Sequence, residues 1–99
     1  MTSSKNYLDF ILSQLSELDD VSWRSMMGEF IIYYRGKIIG GIYDNRFMVK
    51  PIKSIIDICP DAIMGVPYNG AKEMLVIENV DDASMLCNIV KTVYKEFYK

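Results

Sequence analysis

Apolar residues recur every three or four positions near the two ends of the chain. At the start, this spacing is held by Tyr7, Leu8, Ile11, Leu12, Leu15 and Leu18. Near the end, it is held by Leu86, Ile89, Val90, Val93 and Phe97. Each stripe follows a pair of residues that suits a helix N-cap, Ser3-Ser4 in one case and Asp81-Asp82 in the other. The pattern therefore predicts an amphipathic helix at each end.

Short apolar runs divided by turn signals follow the first helix. Arg35-Gly36-Lys37 and Asp44-Asn45-Arg46 separate three runs rich in Ile, Tyr, Phe and Val, which is typical of consecutive hairpins. We expect strands over residues 26–34, 37–43 and 46–49. Gly40-Gly41 inside the second run predicts a bulge, or a close approach by the first or last helix.

The second half of the chain predicts one more helix and two more strands. Pro51 suits the first turn of a short helix over residues 51–58. A weak strand over residues 62–68 then precedes the turn signal Asn69-Gly70, and Pro67 suggests that this strand lies at a sheet edge or ends early. A clearer strand covers residues 73–78.

The predicted order is therefore α-β-β-β-α-β-β-α. Each predicted element has one apolar face to bury, so the helices should cover one face of the sheet. We predict an α+β fold, a two-layer sandwich with a mostly antiparallel five-stranded sheet and helices on one face. With 99 residues and no linker, we expect a single domain over residues 1–99.

The charge pattern argues against a dedicated nucleic-acid binder. The net charge is −2 and the sequence pI is about 5.0. Residues 24–53 nevertheless carry +4, and the remaining residues carry −6. This asymmetry has two interpretations. It indicates either a basic surface attracted to an acidic partner, or ordinary charges that protect strand ends. We favour the second interpretation, because no basic stripe with interleaved exposed aromatics can be traced.

Compartment follows from the absence of targeting signals. No apolar run approaches the roughly 18 residues that a membrane span needs. Residues 1–6 lack the charged region and apolar core of a signal peptide. Cys59 and Cys87 stand alone in apolar surroundings, which favours reduced, buried thiols over a disulfide or a metal site. We therefore expect a cytoplasmic protein without contact to a membrane.

Residue types that carry enzyme chemistry are scarce. The chain has no histidine, which removes the commonest general base and a common metal ligand. The carboxylate pairs Asp19-Asp20 and Asp81-Asp82 lie at predicted helix boundaries, where capping and the helix dipole explain them better than a catalytic dyad. We expect no catalytic residue, no metal and no cofactor, and hence no enzyme.

Aromatic residues in the predicted sheet supply the candidate interface. Neighbours on a strand point to opposite faces, so Tyr33 and Tyr34 cannot both face the helices. One of them should lie on the uncovered sheet face, either as part of a docking or dimer surface or as a solvated tyrosine. The candidate interface residues are Tyr33, Tyr34, Tyr43 and Phe47.

The first half of the chain also resembles a known family. It contains the pattern R-x-M-x-G, then a tyrosine, a glycine and a lysine at the end of a strand, at positions Arg24, Met26, Gly28, Tyr33, Gly36 and Lys50. This arrangement resembles the N-terminal domain of the TfoX/Sxy family, which is associated with the regulation of natural competence in bacteria. The resemblance covers most of the chain, in detail as far as Lys50. The family usually has an aromatic residue and a second glycine where this chain has Met27 and Glu29.

The resemblance implies a two-layer fold similar to that of secretion chaperones. It also implies a non-enzymatic regulatory or adaptor domain that acts through protein-protein contacts, with a transcription regulator or a second copy of the chain as partner. Full-length regulators of the family carry a second, C-terminal domain, which we do not expect in these 99 residues. The alternative is a small acidic carrier, similar to a secretion chaperone, that holds a client segment.

Overall fold

The computed structural model describes residues 3–98, which contain three helices and six strands. The helices are α1 (Lys5–Gln14), α2 (Lys53–Ile58) and α3 (Ala83–Phe97). The strands are β1 (Val21–Met26), β2 (Glu29–Tyr34), β3 (Lys37–Tyr43), β4 (Arg46–Val49), β5 (Ile63–Gly65) and β6 (Met74–Ile77). All six strands form one sheet in the order β1-β2-β3-β4-β6-β5.

Every pair of neighbouring strands is antiparallel. The α+β class and the antiparallel sheet are therefore confirmed, whereas the predicted number of five strands is wrong. The predicted strand over residues 26–34 is not continuous, because it spans the last residue of β1 (Met26), the hairpin turn Met27-Gly28 and β2. β1 escaped prediction because most of its residues are exposed, so it lacks the alternation of apolar and polar residues that marks a half-buried strand.

Three two-residue turns connect the first four strands. Both residues of each turn have positive φ, as a type I′ turn requires. These turns are Met27-Gly28, Arg35-Gly36 and Asp44-Asn45. Gly28, one of the positions that carry the resemblance, has φ 84°. This backbone conformation favours glycine. Met27 occupies the first turn position with φ 53°. Methionine is uncommon at this position, so the sequence carries no recognisable signal for this hairpin.

The three helices pack on one face of the sheet, as predicted. Along β2, Phe30, Ile32 and Tyr34 are buried while the residues between them are not. They belong to one core cluster with residues of all three helices, including Leu8, Ile11, Ile55, Leu86, Ile89, Val90 and Val93. We call this side of the sheet the helix face.

Helix ends agree with the predictions in part. The Ser4 side chain caps α1 by accepting from the Tyr7 amide, and the Asp82 side chain caps α3 by accepting from the Met85 amide. The first helix ends at Gln14 rather than near Leu18, and the chain continues as turns and bends over residues 15–20. The middle helix begins at Lys53, two residues after Pro51.

Gly40 and Gly41 lie beside a bulge, which confirms one of the two predicted alternatives. The register between β2 and β3 shifts between Ile32 and Tyr33. A close approach also exists, but it comes from neighbouring strands and not from a helix. A Cβ on Gly40 would overlap the Met48 carbonyl oxygen, and a Cβ on Gly41 would lie 2.5 Å from the Phe30 carbonyl oxygen.

Candidate protein-interaction surface

The sheet face opposite the helices is only partly covered. Directly opposite residues of antiparallel strands share a face, and neighbours along a strand alternate. The pairing of Ser22 with Tyr33 and of Arg24 with Ile31 therefore identifies the residues of this second side, which we call the open face. It carries Ser22, Arg24, Met26, Glu29, Ile31, Tyr33, Ile38, Tyr43, Arg46, Met48, Ile63, Met74 and Val76.

The connection between β5 and β6, residues 66–73, crosses one half of the open face. We call it the covering loop. Its Pro67 is buried, and its Tyr68 ring lies 6.1 Å from the ring of Tyr43. Tyr43, Met48 and Val76 form a second, small core on this side of the sheet. The covering loop thus gives the open face a minor core of its own.

Asn69-Gly70 makes the turn at the tip of the covering loop. The Ala71 amide donates to the Tyr68 carbonyl at 3.0 Å, and Gly70 has φ 88°. A positive φ at the third residue is the requirement of a type II turn. The sequence signal therefore predicts a real turn, although it lies inside a longer loop and not between directly joined strands.

Two depressions flank the covering loop. The first has a volume of about 920 Å³ and lies between the covering loop and the hairpin turns that precede β2 and β4. Met27, Glu29 and Arg46 line it. The second, of about 540 Å³, is lined by Ile31 and Ile38 among others. We call them groove 1 and groove 2. They share the lining residues Met26, Tyr43, Pro67, Tyr68 and Ala71, so they form one continuous concave region.

Groove 2 combines apolar side chains with lysines. Phe97 lines it from the end of α3, and the Lys50 Nζ atom lies 4.9 Å from the centre of the Phe97 ring. Phe97 is 46% exposed, so its predicted inward position is wrong. The Tyr98 hydroxyl donates to the Ile38 carbonyl, which ties the end of α3 to this edge of the groove.

The rim of groove 1 is fixed by a hydrogen-bond network around Glu29. Its carboxylate accepts from the Ser3 hydroxyl and, at 3.2 Å, from the Asp44 amide. The Ser4 amide donates to the Asn45 side chain at 2.8 Å. Glu29 therefore joins the N-terminal segment to the turn between β3 and β4. It does so at a position where the TfoX/Sxy pattern usually has glycine.

Asp19 has a role that the sequence did not indicate. It was expected to cap a helix, but its carboxylate accepts from the Arg35 guanidinium at 3.2 Å and from the Tyr34 hydroxyl at 3.3 Å. The hydrogen bond from Arg35 lowers the pKa of the Asp19 carboxyl. Burial raises the pKa of Tyr34, whose ring packs edge-on against Tyr94. This cluster holds the turn between β2 and β3.

The four candidate interface residues do not form one exposed surface. Tyr34 and Phe47 lie on the helix face, 4% and 0% exposed, so the interface prediction is corrected for these two. Tyr43 lies on the open face but is buried beneath the covering loop. Tyr33 lies on the open face and is half-buried.

Several residues of the open face and its grooves were not predicted from the sequence. Ile31 follows from Tyr33 by strand alternation, and Ile38 pairs with Tyr33 across the bulge. Tyr68 and Phe97 have no such signal, because their places depend on how a loop and a helix end fold back onto the sheet. Met27 is 93% exposed at the rim of groove 1.

The positions that carry the resemblance fall into two groups. Gly28 and Gly36 occupy hairpin turns with positive φ. The four positions with side chains lie on the side of the open face. Arg24, Met26 and Tyr33 point from β1 and β2, and Lys50 lines groove 2 directly after β4.

Other chemistry is limited in the part of the chain that the structure describes. No three His, Cys, Asp or Glu side chains within residues 3–98 lie close enough together to hold a metal ion. No helix there is long and apolar enough to cross a membrane. Cys59 and Cys87 are free and buried, as predicted, and burial raises the pKa of the Cys87 thiol. A raised pKa favours the protonated thiol, which is a weaker nucleophile than the thiolate.

Comparison with known proteins adds a relative without an assigned activity. The chain matches no known protein-family model. Over 80 residues it is 30% identical to the "Uncharacterized 12.7 kDa protein in trpE 5'region" of Spirochaeta aurantia. The match covers 81% of this chain and 70% of that protein. The chain therefore belongs to the same family as this Spirochaeta aurantia protein.

Proposed function

We propose that this chain is a non-enzymatic regulatory or adaptor domain that binds another protein through the open face, as its resemblance to the TfoX/Sxy N-terminal domain implies. One observation carries the proposal. The four positions of the resemblance that have side chains lie on the side of the sheet that the helices leave uncovered. A purely architectural pattern would instead concentrate its side chains in the core.

The surface chemistry of the two grooves supports protein binding. Met27, Ile38, Tyr68 and Phe97 are each more than a third exposed around one concave region. Clustered exposed apolar side chains mark interaction sites more often than scattered ones do. Aromatic residues anchor interfaces, and flexible methionines adapt to the shape of a partner.

The partner is a protein segment with apolar side chains that enter groove 2. Among the described residues, Lys50 and Lys72 line this groove together with one acid, Glu73. Acidic residues beside the apolar segment would therefore speed association at low salt. We place this contact in the cytoplasm of a bacterial cell, with a transcription regulator as the partner. Direct nucleic-acid binding is not part of the proposal, given the net charge of −2.

Two matched charge insertions test the proposal. Ile38 lies in groove 2 and is 38% exposed, while Ile56 lies on α2 and is 41% exposed. Ile38→Glu and Ile56→Glu therefore place the same charge at similar exposure, one in groove 2 on the open face and one on a helix of the helix face. In affinity capture at moderate salt, Ile56→Glu should retain the proteins that the wild type retains, and Ile38→Glu should lose at least one. Identical sets of captured proteins for both variants would refute binding through the open face.

The continuity of the two grooves favours one second candidate, a carrier of an unfolded client segment. Groove 1 and groove 2 share Met26, Tyr43 and Tyr68, so an extended chain can lie along both. A carrier should keep an aggregation-prone client in solution at equimolar ratio, and Ile38→Glu should abolish this protection. A captured partner that is folded before binding would select the adaptor function over the carrier.

A further inference from the structure

β1 is an edge strand without the usual protection. It is six residues long and, among residues 3–98, has one neighbouring strand, β2. Natural edges are commonly blunted by prolines, bulges, several charges or short length. The opposite edge, β5, has only three residues and is followed closely by Pro67. β1 has no proline, no register shift and a single charge, Arg24.

The free backbone groups of β1 can be identified from its pairing. The Arg35 amide donates to the Asp20 carbonyl at 2.9 Å. Hydrogen-bonded pairs recur at every second residue of an antiparallel ladder, so the residues bonded to β2 are Ser22, Arg24 and Met26. The N–H and C=O groups of Val21, Trp23 and Ser25 consequently point away from β2. Within residues 3–98, no further backbone hydrogen bond reaches them.

We propose that β1 pairs antiparallel with β1 of a second copy, with Trp23 opposite Trp23 of that copy, so that the two sheets become continuous. In this register the three outward residues all find partners, because Val21 then lies opposite Ser25. Ser22 lies opposite Arg24 on the open face, so no like charges are directly opposed along the two strands. The helix faces of the two copies lie on the same side, since Val21, Trp23 and Ser25 all belong to that side.

Neighbouring registers are poorer for definite reasons. A shift of two residues in one direction places Arg24 opposite Arg24, and directly opposed like charges are destabilising. A shift in the other direction pairs Trp23 with Val21 and leaves Ser25 beyond the end of the partner strand. The strand is thus most complementary to itself in one register. This is the reason to name a second copy as the occupant of the edge.

The Trp23 side chain provides the contact at the symmetry axis. Its ring packs edge-on against Phe30 at 5.6 Å, the Lys5 Nζ atom lies 5.5 Å from its centre, and 38% of the residue stays exposed. Opposed aromatic residues stabilise antiparallel pairs. A second Trp23 would therefore cover part of the surface that the single copy leaves in water.

Amide hydrogen exchange of the full chain gives the most specific test. Exchange at Val21, Trp23 and Ser25 should slow at least about tenfold as protein concentration rises and the dimer forms. The amides of Ser22 and Arg24 should be protected at every concentration, because they bond within one copy. Trp23 is the only tryptophan, so its fluorescence should change over the same concentration range. Unchanged exchange at the three outward amides up to about millimolar protein would overturn the proposal.

Opposite charge changes at one exposed position test the register. Ser22→Glu places a carboxylate opposite Arg24 of the second copy, and Ser22→Arg places a second cation there. By sedimentation equilibrium, the first should lower the dimer dissociation constant and the second should raise it, each by at least about threefold. A shift in the same direction for both variants would overturn this register.

A third variant separates edge pairing from folding. Ser25→Pro removes an outward N–H, at a site where proline is tolerated in an edge strand. It should weaken the dimer at least about tenfold while the melting temperature of dilute protein changes little. Ile38→Glu should leave the dimer intact, so failure of groove binding and failure of β1 pairing are distinguishable. Slow exchange at the outward amides only when a different protein binds would assign the edge to that protein and refute self-pairing.

Discussion

The two faces of the sheet are built from the same alternating strands but are covered in different ways. The helix face is closed by α1, α2 and α3, and side chains such as Ile32 and Phe47 have no exposed surface there. The open face has a small core of Tyr43, Met48 and Val76 under one loop. Stability should therefore depend mainly on the helix face, which leaves the open face free to evolve a binding surface.

Truncation of the deepest aromatic residue on the helix face tests this contrast most strongly. Phe47 has no exposed surface, and Phe47→Ala should lower the free energy of unfolding by about 3–5 kcal/mol, because it leaves a cavity. Tyr68→Ala on the covering loop removes a ring that is 56% exposed, and should change it by about 1 kcal/mol or less. Urea unfolding of both variants measures the difference.

Equal losses for the two variants would contradict the comparison. They would mean that the covering loop is as integral to the fold as the helix layer. The m-value of each unfolding curve serves as the control, since a changed slope would indicate an altered native or denatured state rather than a lost contact.

Most of the fold could be predicted because helices and half-buried strands have distinct periods. The spacing of Leu86, Ile89 and Val90 identifies α3, and the alternation in β2 separates Tyr34 from Tyr33. β1 has no such period, since an edge strand exposed on both sides needs no apolar alternation. Its hairpin turn was also hidden, because Met27 takes a backbone conformation that asparagine or glycine usually marks.

Less of the candidate site could be predicted. Met26, Tyr33 and Lys50 were singled out through the resemblance, and the structure places them on one side of the sheet. Phe47 was assigned to the interface although it faces the helices, because aromatic content alone does not distinguish the two faces. Tyr68 joins the grooves only through tertiary folding of the covering loop, which has no periodic signal.

The turn between β1 and β2 belongs to neither core. A substitution there should have an intermediate effect on the free energy of unfolding. Gly28 has φ 84°, and a β-branched side chain is strained at positive φ. Gly28→Val should lower the free energy of unfolding by about 1–2 kcal/mol. Gly28→Asn should cost clearly less, because asparagine tolerates this region. Thermal unfolding of both variants checks the prediction, and an unchanged melting temperature for Gly28→Val would remove the structural reason for this motif glycine.

Acid should weaken the contact between Asp19 and Arg35 at the turn between β2 and β3. The hydrogen bond from Arg35 lowers the pKa of Asp19 in the folded protein. A lowered pKa contributes stability above the unfolded value of about 3.9, and this contribution is lost as pH falls through the folded value. Because Asp19 is exposed, solvent screening keeps the effect small. Asp19→Asn should flatten this part of the stability profile between about pH 5 and pH 2, and an unchanged profile would show that the contact has no energetic role.

Tyr33 and Tyr34 give the finest comparison, because adjacent residues with the same side chain face opposite sides of the sheet. Tyr33 lies on the open face beside Ile31 and Ile38, so Tyr33→Ser should change the free energy of unfolding by less than about 1 kcal/mol and weaken partner capture. Tyr34 is 4% exposed, so Tyr34→Ser should cost about 3 kcal/mol or more. At a temperature where that variant remains folded, its partner capture should match that of the wild type. If both variants lost stability equally and neither altered capture, the open face would have no binding role and the distinction between the two faces would concern folding alone.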